Sequence, residues 1–135
     1  MTDVVLKKET ICKKILCCKH CCVTRTLICL TSLFTSTNKV LLLKGAPTYI
    51  ATPDGKIYVL PVANSGMAKG GSGDVLTGLT AGLLARGYSP VNAAILGVWI
   101  HGYAGDILTE SFTAEAYNSR DLIDTIWRGF AHLSA

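Results

Sequence analysis

Asn64 to Gly82 reads NSGMAKGGSGDVLTGLTAG, and this stretch restricts the chain more than any other. Gly66, Gly70, Gly71 and Gly73 fall close together, Asp74 follows, and an apolar, helix-like run comes next. Backbone without Cβ atoms can approach an anion closely and adopt φ > 0. The first turn of a helix adds unpaired N–H groups and the positive end of its dipole. The pattern therefore predicts a phosphate-holding loop with Asp74 at its lip. A carboxylate beside phosphate is repelled by it, so its placement there points to chemistry. It could take a proton from an attacking hydroxyl, or hold Mg²⁺ through water. The stretch is not a Walker loop, because the Gly-Lys-Ser/Thr ending is missing. It is not the dinucleotide fingerprint, because Leu76 stands where the third glycine would be. The plainer alternative is a flexible turn before an ordinary helix capped by Asp74.

Composition divides the chain near residue 39. All six cysteines and seven of the 13 Lys and Arg lie before it, with two of the nine acids, a local charge of +5. All 13 glycines and all four prolines lie after it, where the charge is −1. The body is thus nearly neutral, which argues against nucleic-acid binding. With half its residues hydrophobic and 16% charged, the sequence is globular in character.

The first 39 residues carry Cys12, Cys17, Cys18, Cys21, Cys22 and Cys29, with His20 among them. Cys18 and Cys21 make one C-x₂-C pair, but a zinc site needs a second, and Cys29 stands alone. No convincing secretion signal accompanies the cysteines, which argues against a disulfide framework. Leu27 to Phe34 is too short for a membrane span of ~20 residues. Lys7, Lys8, Lys13 and Lys14 could line a basic face. The segment shows no consistent period and reads as an atypical extension with no assigned fold.

Val40 to Leu43 is a continuous apolar run, as in a strand buried on both faces. Thr48 to Ala51 and Lys56 to Leu60 flank Thr52-Pro53-Asp54-Gly55, a type I turn signal, so residues 48 to 60 form a hairpin. Lys44 closes the first strand. It either reaches solvent or serves as a cation near nucleotide, since ligands collect at strand carboxyl ends in open α/β sheets.

Three helices follow. The first carries Val75, Leu76, Leu79, Leu83 and Leu84, with Gly78 and Gly82 offering close backbone approach and Arg86-Gly87 ending it. Ser89 and Pro90 open a second, apolar nearly all round and hence buried. Ser119 is expected to cap the third, whose apolar stripe is Leu122, Ile126 and Phe130, thickened by Ile123 and Trp127. His101, inside the second helix, reads as a hydrogen-bonded core histidine. Trp99 and Tyr103 read as packing residues.

LLLKGAPTYIATPDGKIYV, NSGMAKGGSGDVLTGLTAGLLARG and GVWIHGYAGD, in this order, resemble the NAD(P)H-hydrate dehydratases of the ribokinase-like superfamily. The resemblance runs from about Val40 to the C-terminus and favours the ADP-using bacterial branch. It implies the later portion of an α/β/α sandwich, with 1–39 as an extension and 40–135 as a partial dehydratase domain. It also implies a cytoplasmic repair enzyme. ADP or ATP, with Mg²⁺, would phosphorylate the ring hydroxyl of NAD(P)H hydrate, and phosphate would leave as the double bond returns. Asp74 would contact the hydrate and act as base. Gly71, Ser72 and Gly73 would form the anion hole. Lys44, Gly45, Ala46, Pro47 and Thr48 would line the AMP portion, and Asn64 with Gly70 to Gly73 would wrap the phosphates. No dedicated metal ligands are read.

The sequence also departs from the family. Its early Gly-rich loop, its His-Pro-Gly stretch and much of the hydrate pocket are not visible in residues 1 to 39, and Val62-Ala63 replace the usual Thr-Gly. Little or no dehydratase activity is therefore expected of the isolated chain. Exposed sheet edges point to self-association. The family's frequent fusion to an epimerase points to an epimerase partner, fused or separate. The alternatives are a vitamin or sugar kinase of the same superfamily and a non-catalytic nucleotide-binding fragment.

Overall fold

The computed structural model describes residues 4–6, 39–62 and 64–134. The cysteines, His20, the early lysines, the Leu27 to Phe34 run and Ala63 lie outside the described residues.

Four described strands form one sheet in sequence order: β1 (Val4–Leu6), β2 (Val40–Leu43), β3 (Thr48–Ala51) and β4 (Ile57–Leu60). β1 runs parallel to β2, with Val4 opposite Val40. β2 to β4 are antiparallel, with Leu42 opposite Ile50 and Ile50 opposite Tyr58. The side-chain period of two divides β2 between both faces. Val40 and Leu42 pack with Ile50, while Leu41 packs with Ala51. The run is apolar throughout because both faces are covered.

The hairpin turn closes as its chemistry dictates. The Gly55 amide donates to the Thr52 carbonyl at 3.0 Å, and Gly55 takes φ +79°. The peptide between Ala46 and Pro47 is cis.

α1 (Ser72–Ala85), α2 (Pro90–Ser111) and α3 (Ser119–Leu133) follow a single 3₁₀ turn, Ser65–Met67. α2 lies on the sheet, with α1 and α3 packed against it. Leu76 of α1 and Ala94 and Val98 of α2 join Val40, Leu42 and Ile50 in the main core. A second cluster, Ala104, Leu108, Tyr117 and Leu122, joins α2 to α3. α1 ends in a Schellman motif, with Tyr88 N donating to Leu83 O and Gly87 N to Leu84 O. Ser89 caps α2 through Asn92 N, with Pro90 first in the helix.

Three expectations need correction. Gly78 and Gly82 face open space. The close approach is made instead by Gly97, where a Cβ would lie 2.7 Å from Thr80 Oγ1, and by Gly129, where it would lie 2.9 Å from Ile100 Cγ2. α3 is capped by Asn118, not Ser119. The Asn118 side chain accepts from Arg120 N and Asp121 N, and the Asp121 carboxylate accepts in return from the Asn118 amide. The buried line of α3 is Leu122, Thr125 and Gly129, whereas Ile123, Trp127 and Phe130 are 57%, 62% and 41% exposed. Small side chains, not large ones, let α3 approach α2.

Candidate phosphate-binding site

The glycine-rich loop is fastened to the fold by groups that leave its amides unspent. Asn64 opens it and is committed on every side. Its Oδ1 accepts from Gly66 N at 2.9 Å and Tyr117 OH at 3.1 Å, and its Nδ2 donates to Asp106 Oδ1 and Thr109 Oγ1. Gly66 is glycine for space, because a Cβ there would lie 2.3 Å from the Tyr117 hydroxyl. Lys69 donates to the Tyr117 carbonyl and lies 4.4 Å from the centre of its ring. Ser119 donates to the Gly70 carbonyl at 2.6 Å.

Gly71 is the N-cap of α1, with φ +84°, the left-handed conformation its position requires. Ser72 N lies 3.4 Å from Lys69 O, and Asp74 N and Val75 N both donate to Gly71 O at 3.0 Å. Among the described residues, the amides of Gly70, Gly71 and Gly73 have no acceptor. Unspent amides at a helix N-terminus are the kind of group that can accept negative charge. Asp74 sits in the same first turn with its side chain exposed, and no bond or ion pair occupies its carboxylate among the described residues. The carboxylate and the free amides therefore occur together at one helix start.

Lys44 does not run out to solvent. It is half-buried, and its Nζ donates to Met67 O at 3.0 Å, tying the end of β2 to the turn that begins the loop. Gly45 and Ala46 are exposed, and Pro47 is half-buried. The Thr48 hydroxyl is buried and closes its own turn, donating to Gly45 O at 3.0 Å. Of the expected nucleotide segments, Lys44 and Asn64 to Asp74 converge through Met67, while Thr48 shapes the connecting turn.

His101 lies on α2 behind the loop, 1% exposed, with Nε2 2.9 Å from Ser72 O and 3.3 Å from Ser72 Oγ. Burial, helped by the nearby Lys44 charge, pushes its pKa down to about 4. The ring is therefore neutral at neutral pH, as expected of a bonded core histidine. Trp99, Tyr103 and His132 stack in a separate aromatic group between α2 and α3, with centroids 4.9–5.7 Å apart.

An open depression of about 440 Å³ lies beside the loop, lined by Asn64, Ser65, Asp106, Thr109 and Glu110. Its two carboxylates, Asp106 and Glu110, disfavour phosphate. Among the described residues no group of three or more His, Cys, Asp or Glu could hold a metal ion. No helix among the described residues is long and apolar enough to cross a membrane.

Tyr117, Ser119 and Lys69 fasten this loop, a role sequence reasoning did not assign to them. The Asn118-x-x-Asp121 capping box marks only where the helix carrying Ser119 begins.

The chain is similar to known proteins over much of its length. The family model for NAD(P)H-hydrate dehydratase matches residues 15–128, beginning upstream of the motifs that start at Val40. A bifunctional NAD(P)H-hydrate repair enzyme of Moorella thermoacetica is 53% identical over 85 residues, covering 63% of this chain and 16% of that protein. An ADP-dependent (S)-NAD(P)H-hydrate dehydratase of Bacillus subtilis is 36% identical over 94 residues, covering 67% of this chain and 34% of that protein. The crystal structure of the ADP/ATP-dependent NAD(P)H-hydrate dehydratase from Bacillus subtilis, co-crystallised with ATP/Mg²⁺ and soaked with CoA, superposes with a TM-score of 0.74 at 30% identity. The superposition covers 81% of this chain and 40% of that one. The chain thus spans about a third or less of the length of these curated relatives.

Proposed function

This chain belongs to the NAD(P)H-hydrate dehydratase family, and on that footing we propose that its glycine-rich loop holds the phosphates of ADP or ATP while Asp74 acts as base toward the hydroxyl of NAD(P)H hydrate. The observation that carries the reading is the pairing of free amides at Gly70, Gly71 and Gly73 with the unoccupied carboxylate of Asp74 on one helix turn.

In this reading the Gly71–Gly73 backbone receives the transferred phosphoryl group, and the amides stabilise charge that grows on its oxygens. Asp74 accepts the proton of the attacking hydroxyl. The hydroxyl oxygen bonds to the terminal phosphorus as the nucleotide's bridging P–O bond breaks, releasing AMP or ADP. The ring C–O bond then breaks and phosphate leaves with the bonding pair. The neighbouring ring carbon gives up a proton to water, and its C–H pair becomes the double bond of NAD(P)H. Phosphate succeeds where hydroxide fails because it is the weaker base. Lys44 and residues 45–48 line the AMP portion, and Asn64 acts through the turn it holds. Mg²⁺, held by the nucleotide phosphates near Asp74, would neutralise their charge. A self-associated assembly and an epimerase partner belong to the same proposal.

The test is Asp74→Asn, assayed for ADP binding and for recovery of NAD(P)H from its hydrate. Binding is expected to persist while whatever recovery the wild-type chain supports falls ~10²–10⁴-fold. Undiminished recovery would refute the base assignment.

A further inference from the structure

His101 is an unexpected residue in its surroundings. It stands on α2 among Val98, Ile100 and Ala104, all buried, where an apolar side chain would avoid the desolvation an imidazole suffers. Its ring spends that desolvation on one bond, to the first residue of α1, 29 positions away. A carbonyl oxygen can only accept, so Nε2 carries the proton and donates to Ser72 O. The ring is neutral at neutral pH, which leaves this tautomer with its proton on Nε2. The Ser72 hydroxyl, 3.3 Å from the same nitrogen, can only share it as a second acceptor.

The target of that bond matters. Ser72 is fully buried and lies between Gly71, whose left-handed φ sets the loop, and Gly73, whose amide is unspent. Asp74 is the next residue. The charged group whose field reaches the ring is Lys44, which itself ties β2 to Met67 at the start of the loop. The ring therefore sits where the strand end and the helix start meet.

We propose that His101 is a positioning residue, whose Nε2–H bond to the Ser72 carbonyl fixes the first turn of α1 so that the Gly73 amide and the Asp74 carboxylate present themselves to one phosphate-bearing ligand. The proposal rests on the phosphate reading above, and its test separates the two. A residue that only filled space would be replaceable by any side chain of similar size. A positioning donor is replaceable only by another donor.

The experiment compares the 135-residue chain with its His101→Phe and His101→Gln variants. Phenylalanine fills the space without donating, whereas the glutamine amide can donate from a similar reach. Hydrogen exchange is followed at Asp74, Val75 and Leu76, with α3 amides as internal reference, and binding of ADP with Mg²⁺ is measured by calorimetry. His101→Phe is expected to speed exchange in the first turn of α1 ~5-fold relative to α3 and to weaken ADP ~5-fold, the scale of one lost hydrogen bond. His101→Gln is expected to retain both. The ¹⁵N signals of the wild-type imidazole should report a proton on Nε2 alone at neutral pH. Wild-type exchange and affinity in His101→Phe would overturn the proposal. So would a ring protonated on Nδ1, a result that needs no variant to fold. A wild-type chain with the expected tautomer and a protected first turn, but no affinity for ADP, would remove the phosphate reading and leave the hold of His101 on the turn standing.

Discussion

The Ser119 hydroxyl donates to the carbonyl of Gly70 at 2.6 Å, across 49 residues of sequence. This bond joins the start of α3 to the loop ahead of α1. The Gly70 carbonyl shares its peptide plane with the Gly71 amide, which has no acceptor among the described residues. The same serine also limits its neighbour, because a Cβ on Gly71 would lie 2.6 Å from Ser119 Oγ. Gly71→Ala should therefore lose stability twice, ~1–2 kcal/mol from the left-handed φ and more from the clash. In a Ser119→Gly background the clash disappears and the φ cost stays. Urea unfolding of the two single variants and the double variant measures this; additivity would contradict the contact.

Acid should weaken the fold through His101. Its folded pKa lies near 4 and its unfolded value near 6.5. The unfolded chain takes up a proton between those values that the folded chain refuses. Stability from the neutral ring is thus fully present above about pH 6.5 and is lost as pH falls toward 4, an effect of about 3 kcal/mol. His101→Gln should flatten that part of a pH series of unfolding free energies. An unchanged slope would contradict the assignment.

The two kinds of helical glycine should respond in opposite directions. Gly82 is exposed and a Cβ there would meet nothing, so Gly82→Ala should stabilise by ~0.5–1 kcal/mol through helix propensity. Gly97 faces Thr80 Oγ1, itself bonded to Leu76 O, so Gly97→Ala should destabilise by ~1–3 kcal/mol. Thermal melts of the two variants are the check.

These contrasts explain what could be read from the sequence. The hairpin and the ends of α1 and α2 were legible because Pro53, Gly55, Gly87 and Pro90 carry their backbone instructions locally. The start of α1 was legible because closely spaced glycines ahead of an apolar helical run mark a turn into a helix. The face of α3 was misread because hydrophobicity is not proximity. Trp127 is large and exposed, while Gly129 is buried because its lack of a side chain admits Ile100. The fastenings from Tyr117 and Ser119 to the loop were invisible, since single hydrogen bonds between residues so far apart in sequence leave no period and no spacing.

Asp74 contributes to the fold as well as to the proposed chemistry. A carboxylate in the first turn of α1 favours the helix dipole by ~0.3–1 kcal/mol but opposes a bound anion. Asp74→Asn should accordingly lower the melting temperature slightly and hold or raise affinity for ADP. A fall in affinity would mean that the carboxylate is a ligand for the nucleotide's cation.

All of the proposed chemistry requires that the backbone of residues 70–73 receive phosphate. Titration of the ¹⁵N-labelled chain with ADP and Mg²⁺, followed by amide resonances, reads this out residue by residue. We expect the largest shifts at Gly70, Gly71 and Gly73, with those of Thr109 and Glu110 in the neighbouring acidic depression nearly still. Saturable binding that leaves the three glycine amides unmoved, or no binding at millimolar ADP, would contradict it.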